Sequence, residues 1–111
     1  MNPLRPQDWS RLNPLQVGKY GEYLTKMEFV LLGCDVFTSE VDSHGIDFVV
    51  RTRGGVHFDV QVKSFRLKAG QTPYVFMQKS KFKIDPSLLL ALVQFVVGQP
   101  PALLALGQGV A

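Results

Sequence analysis

The fold of this chain is decided by residues 46–65, which read IDFVVRTRGGVHFDVQVKSF. Two runs rich in β-branched and aromatic residues, Ile46–Arg53 and Val56–Phe65, flank the pair Gly54-Gly55. This arrangement predicts two antiparallel strands that are joined by a tight hairpin.

The length of the hairpin loop decides which residues face each other across these strands. A two-residue turn at the glycine pair would place Asp47 opposite Val62, on the wrong face of the sheet. A three-residue loop, Arg53–Gly55, pairs Asp47 with Gln61 and aligns both with Lys63. A glycine suits the left-handed position that such a loop requires. We therefore predict the three-residue loop.

A helix is predicted upstream, between an Asn13-Pro14 start and a Gly33 stop. These residue types are typical of helix ends. Apolar residues recur between them at helical spacing, so one helix face should pack on the sheet. The predicted stripe consists of Tyr20, Leu24, Met27 and Leu31, widened by Tyr23 and Val30. Residues 1–12, which include two prolines, are expected to form a loose lead-in.

The remaining segments predict further strands. Cys34–Glu40 is expected to be the first strand and Tyr74–Met77 a short later one. The apolar tail divides into LLLALVQFVV (88–97), GQPP (98–101) and ALLAL (102–106), which favours two strands around a turn over a membrane span. The predicted fold class is α/β (α+β), with one domain over residues 1–111. The abrupt end after ALLALGQGVA leads us to expect a longer parent chain.

Positive charge is concentrated in one part of the sequence. The formal charge is +3, but residues 51–83 hold eight basic residues and one acid, a net charge of +7. This density suits a polyanionic partner, since each neutralised phosphate releases counterions, although a solvated lysine-rich face is an alternative. The lone Cys34 excludes an internal disulfide and a cysteine-rich zinc site, and it fits a reducing cytoplasm. Neither a secretory leader nor a nucleotide-binding loop is predicted.

Asp47 is an acid in an otherwise apolar strand, and an unpaired buried carboxylate is costly. A bound cation or a lysine would offset that cost, whereas a solvent-facing aspartate on an edge strand is the alternative. Side-chain alternation puts Asp59, Gln61 and Lys63 on one side of the neighbouring strand. With the predicted register these polar groups lie beside Asp47, which indicates a candidate cation site.

The spacing of Asp47, thirteen residues and then Gln61-Val62-Lys63 resembles the PD-(D/E)xK nuclease superfamily. The segments EVDSHGIDFVV (40–50) and DVQVKS (59–64) strengthen the resemblance, as does Gly21-Glu22 on the upstream helix. The chain looks like the small bacterial members that carry glutamine in an acidic slot. The similarity runs from about residue 18 to residue 106 and implies a restriction-endonuclease-like core.

The resemblance also implies a role for each site residue. Asp47 would be the central metal ligand, the Val62 carbonyl would complete its shell, and Gln61 would give a neutral oxygen. Lys63 would orient the attacking water, and Glu22 would hold the metal or its water. The implied cofactor is Mg²⁺ or Mn²⁺, which prefer oxygen ligands. Without the resemblance, the preferred interpretation of Glu22 is an exposed helix residue that pairs with its neighbours Lys19 or Lys26.

The predicted activity is metal-dependent endonucleolytic cleavage of DNA in the cytoplasm, with no role at a membrane. A homodimer would suit so short a chain, since each subunit could cut one DNA strand. The apolar C-terminal hairpin would form the dimer interface or belong to the core of the subunit. Two alternatives stay open, namely an inactive nucleic-acid-binding module of the same fold and an assembly protein without a nucleic-acid role. The predicted phosphate contacts are Lys19, Arg51, Arg53, Arg66, Lys68, Lys79, Lys81 and Lys83.

Overall fold

A computed structural model describes residues 8–41, 45–68 and 86–107. Within them the fold is α+β, with one α-helix, a 3-10 turn and a five-stranded mixed sheet in the order β1-β2-β3-β4-β5. The predicted fold class is confirmed at this level. The predicted strand Tyr74–Met77 lies outside the described residues. The elements are the 3-10 turn Trp9–Arg11, α1 (Pro14–Leu31), β1 (Asp35–Phe37), β2 (Phe48–Arg51), β3 (His57–Leu67), β4 (Leu88–Val96) and β5 (Ala102–Gly107).

The β2–β3 hairpin has the predicted three-residue loop. Phe48 pairs with Val60 and Arg51 with His57, in antiparallel register. The Thr52 amide donates to the Val56 carbonyl at 2.8 Å, which closes the loop over residues 53–55. Gly55 has a φ of +85°, the left-handed conformation that favours glycine. These pairs have the register that the predicted loop requires, but the regular ladder ends at Phe48 and Val60, before the predicted pair of Asp47 with Gln61.

β4 forms the centre of the core. It pairs in parallel with β3, from Asp59 opposite Leu88 to Leu67 opposite Val96, and antiparallel with β5. Most of its side chains are fully buried, so the segment is core and the predicted pair of C-terminal strands is confirmed. Among the described residues, no helix combines the length and apolar character that crossing a membrane requires.

Helix α1 begins and ends where the capping residues predicted. The side chain of Asn13 accepts from the Gln16 amide at 2.9 Å, and the Gln16 side chain accepts from the Asn13 amide at 2.8 Å. This reciprocal pair satisfies two amides that the first helical turn leaves without partners. Gly33, at a φ of +88°, follows the last turn.

The predicted buried stripe of α1 is wrong for all of its residues except Leu24, which is half-buried against the core. The other five are exposed, and the helix buries a neighbouring face instead. That face contains small side chains, which let a helix lie close to a sheet but add little to a hydrophobic pattern. Its members are Val17, Gly21, Thr25 and Phe29.

The closest approach of α1 to the sheet is at Gly21, opposite Ser64 of β3. A Cβ atom on Gly21 would overlap the Ser64 hydroxyl and would lie 3.2 Å from Ser64 Cβ. The Ser64 hydroxyl is buried and has no hydrogen-bond partner among the described residues. Packing at this point therefore requires glycine on the helix, whereas Gly18, three residues earlier, has open space around it.

Gly21→Ala should consequently lower the free energy of unfolding by about 1–3 kcal/mol, the usual cost of overpacking. Gly18→Ala is the matched control and should raise it by about 0.5–1 kcal/mol, because alanine is the better helix former. Adding Ser64→Ala to Gly21→Ala should recover most of the loss, since the overlapping hydroxyl is gone. Urea unfolding measures all three; equal stability of the Gly18 and Gly21 variants would contradict the close contact.

The expected loose lead-in is wrong for residues 8–12. Trp9 is only 4% exposed, and its ring centroid lies 5.0 Å from that of Phe95 and 5.3 Å from that of Tyr20. Its indole N–H lies 3.1 Å from the Val96 carbonyl oxygen and 3.2 Å from that of Gln99, and donates to both. The sequence pattern could not show this, because the partners lie almost ninety residues away along the chain.

The start of this segment is also held locally. The Asp8 carboxylate accepts from the side chain and the amide of Ser10 and thereby caps the 3-10 turn. These hydrogen bonds, side chain first, lower the pKa of the Asp8 carboxyl below its ordinary value of 3.8.

Candidate metal and nucleic-acid site

Asp47 lies at an irregularity just before β2. Its amide donates to the Val60 carbonyl at 2.9 Å, although Val60 is already the register partner of Phe48. Two residues on one strand thus face one residue on the other, which is the arrangement of a β-bulge. A bulge redirects a side chain, and the half-buried Asp47 side chain points along the sheet to the backbone of β3.

The Asp47 carboxylate is seated on the strand that carries the predicted QxK segment. Its Oδ2 atom accepts from the Val62 amide at 2.7 Å. Within a strand, the N–H and C=O of one residue point to the same side, so the Val62 carbonyl is directed to the side where Asp47 lies. A Cβ on Gly45 would lie 3.7 Å from the Gln61 amide nitrogen, which places the Gln61 side chain beside the turn before Asp47. The fold therefore brings Asp47, Gln61 and Val62 together.

Lys63 is half-buried on β3, two residues beyond Gln61. Gln61 pairs with Leu90 and Lys63 with Leu92 in a regular parallel ladder, so the two side chains share one face of the sheet. The predicted alignment of these two side chains is thus present. Asp59 occupies the same face one step earlier, opposite Val49 of β2.

Glu22 approaches from α1 and is held by two lysines. Its Oε2 atom lies 3.1 Å from Lys26 Nζ and 3.5 Å from Lys19 Nζ. These are the ion pairs expected if Glu22 is a helix residue that pairs with neighbouring lysines. The Lys26 ammonium also lies 5.5 Å from the ring centroid of Phe48, the residue next to Asp47. Lys26 therefore connects Glu22 to the strand that carries Asp47, a contact that the sequence reasoning did not foresee.

Helix α1, which carries Glu22, packs on the face of β3 that holds Ser64, whereas alternation directs Gln61 and Lys63 to the opposite face. The donor atoms that Asp47, Gln61 and Val62 offer are all oxygens, from a carboxylate, a side-chain amide and a backbone carbonyl. Such a set fits a hard divalent cation such as Mg²⁺ or Mn²⁺. In the described part of the chain, no three residues of the types His, Cys, Asp and Glu are grouped for a metal.

The predicted phosphate-binding residues that the structure describes are distributed over α1, the hairpin and β3 and do not form one cluster. Arg51 is exposed opposite His57, at the hairpin end of β3, whereas Lys68 is exposed just beyond the other end. Since a strand rises about 3.3 Å per residue, these ends are roughly 30 Å apart, with Gln61 between them. That length equals about nine base-pair steps of a duplex at 3.4 Å each.

Several of the predicted phosphate contacts have structural partners. Arg66 donates from Nη1 to the Trp9 carbonyl at 2.9 Å and to the Leu12 carbonyl, and so fastens residues 8–12 to β3. The Arg53 guanidinium packs beside Gly33, where an added Cβ would lie 2.8 Å from Nη2. Lys19 pairs with Glu22. The predicted contacts Lys79, Lys81 and Lys83 lie outside the described residues.

Neither a protein-family model, nor a curated protein, nor a solved structure matches this chain. The resemblance to the PD-(D/E)xK superfamily therefore stays a prediction from the residues.

Proposed function

We propose that this protein is a metal-dependent endonuclease of the PD-(D/E)xK type that hydrolyses DNA phosphodiester bonds. One observation carries the proposal. The three-residue hairpin loop and the bulge seat the Asp47 carboxylate on the backbone amide between Gln61 and Lys63. An acid, a neutral oxygen donor and a lysine are thereby gathered on two adjacent strands, as cleavage with a bound cation requires.

In this proposal, Asp47, Gln61 and the Val62 carbonyl hold Mg²⁺ or Mn²⁺. The bound ion supplies polarisation of the scissile phosphate. The Lys63 ammonium, on the same face as Gln61, orients the attacking water and stabilises the negative charge that develops on the phosphate oxygens. The hydrogen bond from the Val62 amide keeps the Asp47 carboxylate in place.

DNA is the proposed substrate because basic residues lie on both sides of this site along β3. Arg51 at one end and Lys68 at the other would contact phosphates, which positions a strand without reading its sequence. We include a homodimer and a cytoplasmic location in the proposal. The homodimer agrees with the exposed Leu104 on the edge strand β5. The cytoplasmic location agrees with the free thiol of Cys34.

The test is cleavage of supercoiled plasmid and of branched synthetic DNA, with Mg²⁺, Mn²⁺ or EDTA. We expect nicking that depends on the metal, and a loss of about a hundredfold to a thousandfold in rate for Lys63→Met. Glu28→Gln is the control, since Glu28 is exposed on α1 and has no role in the proposed site. Cleavage that persists in EDTA, or that survives Lys63→Met unchanged, would contradict the assigned roles.

The same experiment addresses a second function, an inactive DNA-binding module of this fold. The neutral Gln61 and the small number of acids at the site favour that alternative. Salt-sensitive DNA binding without cleavage in either metal would support it. A stable oligomer with no DNA affinity at low salt would instead indicate an assembly protein.

A further inference from the structure

The strand β5 (Ala102–Gly107) forms one edge of the sheet, and none of the described strands lies along its outer side. An edge strand presents a row of backbone N–H and C=O groups that point away from the sheet. In an antiparallel ladder these groups belong to alternate residues, so β5 offers about three of each to a further strand. Apart from its ladder with β4, β5 makes no backbone hydrogen bond within the described part of the chain.

β5 lacks the features that normally keep an edge strand from pairing with another chain. Such features are charged side chains, a proline within the strand, and bulges. The register of β5 against β4 is regular from Ala102 to Gly107. Residues 87–111 contain no charged side chain, and Pro100 and Pro101 come before the strand begins. Leu104, in the middle of the strand, is 48% exposed. This edge is therefore open to a further strand.

The opposite edge of the sheet, β1 (Asp35–Phe37), provides a comparison. It has three residues, whereas β5 has six, so it offers a much shorter ladder. Asp35 also puts a negative charge on that edge. A short strand and a charged side chain both discourage edge pairing. Phe37 is 51% exposed, almost the same as Leu104, so the two edges differ in their protection and not in the presence of an exposed apolar residue.

We propose that β5 is the interface of a homodimer, in which the β5 strands of two copies pair antiparallel and join the two sheets into one. A strand without charge lies against its own copy without like-charge repulsion. A two-fold axis near Leu104 brings the two Leu104 side chains together on one face of the joined sheet, where each covers the exposed part of the other. The proposed function includes a homodimer, and the pairing of β5 gives that dimer its interface.

The same geometry sets the size and the strength of the assembly. Pairing of β5 with β5 uses the same strand in both copies, so it closes at two. Pairing of β5 with β1 would build an open chain of copies, which the short and charged β1 disfavours. The strand is about 20 Å long, and a contact one strand wide buries less than the roughly 800 Å² per partner of a standard interface. We therefore expect a weak dimer, with a Kd in the micromolar range.

The test is sedimentation equilibrium of the full chain from about 1 μM to about 1 mM, the range in which such a dimer dissociates. Leu104→Lys should raise the Kd at least about tenfold, because it sets two ammonium groups side by side near the axis. Phe37→Lys on β1 and Met27→Lys on α1 add the same charge at comparably exposed positions. Each should change the Kd by less than about twofold, since salt screens a distant charge.

Urea unfolding shows that each variant is folded, and Ala105→Lys, also at an exposed position of β5, replaces Leu104→Lys if the latter fails to unfold cooperatively. A wild type that stays monomeric throughout would overturn the inference, while the proposed cleavage keeps its own test in the nicking assay. A dimer that Leu104→Lys leaves intact would also overturn it, and weakening by Met27→Lys would move the interface to the exposed face of α1. Species larger than a dimer would contradict the closed pairing.

Discussion

Asp47→Asn should reduce metal-dependent DNA cleavage by at least about a hundredfold, the scale on which one preorganised electrostatic group contributes to catalysis. The change removes one negative charge from the site but keeps an oxygen that accepts from the Val62 amide. The fold should therefore be retained while the metal is held far more weakly. The measurement is the initial rate of plasmid nicking at saturating Mn²⁺, together with the midpoint of urea unfolding.

Asp47→Ala distinguishes the role of this side chain as a metal ligand from its role as a hydrogen-bond acceptor. Alanine removes the acceptor as well as the charge, and the part-buried Val62 amide then loses its partner. We expect a loss of about 1–3 kcal/mol in the free energy of unfolding in addition to the loss of activity. Asp35→Asn, on the exposed strand β1, is a control that should change neither quantity. Full activity of Asp47→Asn would refute the role of Asp47 as the central ligand.

Trp9→Ala should lower the free energy of unfolding by about 3–5 kcal/mol, the range found for large aromatic residues in cores. The indole is almost fully buried, contacts the rings of Tyr20 and Phe95, and bonds two carbonyls at the end of β4. Since domains of this size are stable by only about 5–15 kcal/mol, the variant should be close to unfolding at room temperature. Urea unfolding followed by circular dichroism measures the change.

Trp9→Phe separates the contribution of ring packing to stability from that of the two indole hydrogen bonds. Phenylalanine keeps most of the ring contacts and loses the two hydrogen bonds of the indole, so its cost should be clearly smaller. Leu15→Ala replaces a residue that is largely exposed on the first turn of α1 and should be nearly neutral. An unchanged unfolding midpoint for Trp9→Ala would show that residues 8–12 do not contribute to the fold.

The geometry around Asp47 could be predicted only in part. The register of β2 against β3 followed from the glycine pair, because the loop length sets which residues face each other. The bulge at Asp47 and the hydrogen bond to the Val62 amide were not predictable, since alternation assumes a regular strand. The sequence thus predicted which residues belong to the site, but only the structure shows where the Asp47 carboxylate points.

The buried face of α1 shows the same division. Hydrophobic periodicity selected Met27 and Leu31, both of which are exposed, and passed over Gly21 and Thr25. The pattern counts apolar area, but the helix is positioned by how closely it can approach Ser64. Close packing depends on the residue across the interface, and a single helix does not encode it.

By itself, the sequence determined the order of the elements, the ends of α1, the hairpin loop and the two C-terminal strands. These depend on caps, glycines and side-chain alternation, which act between near neighbours along the chain. Only the tertiary structure decided that Trp9 is buried, that Arg66 fastens the first residues, and that Lys26 lies between Glu22 and Phe48. Except for the pair of Lys26 with Glu22, these contacts join residues far apart in sequence, and their energy depends on burial that exists only once the sheet and helix have packed.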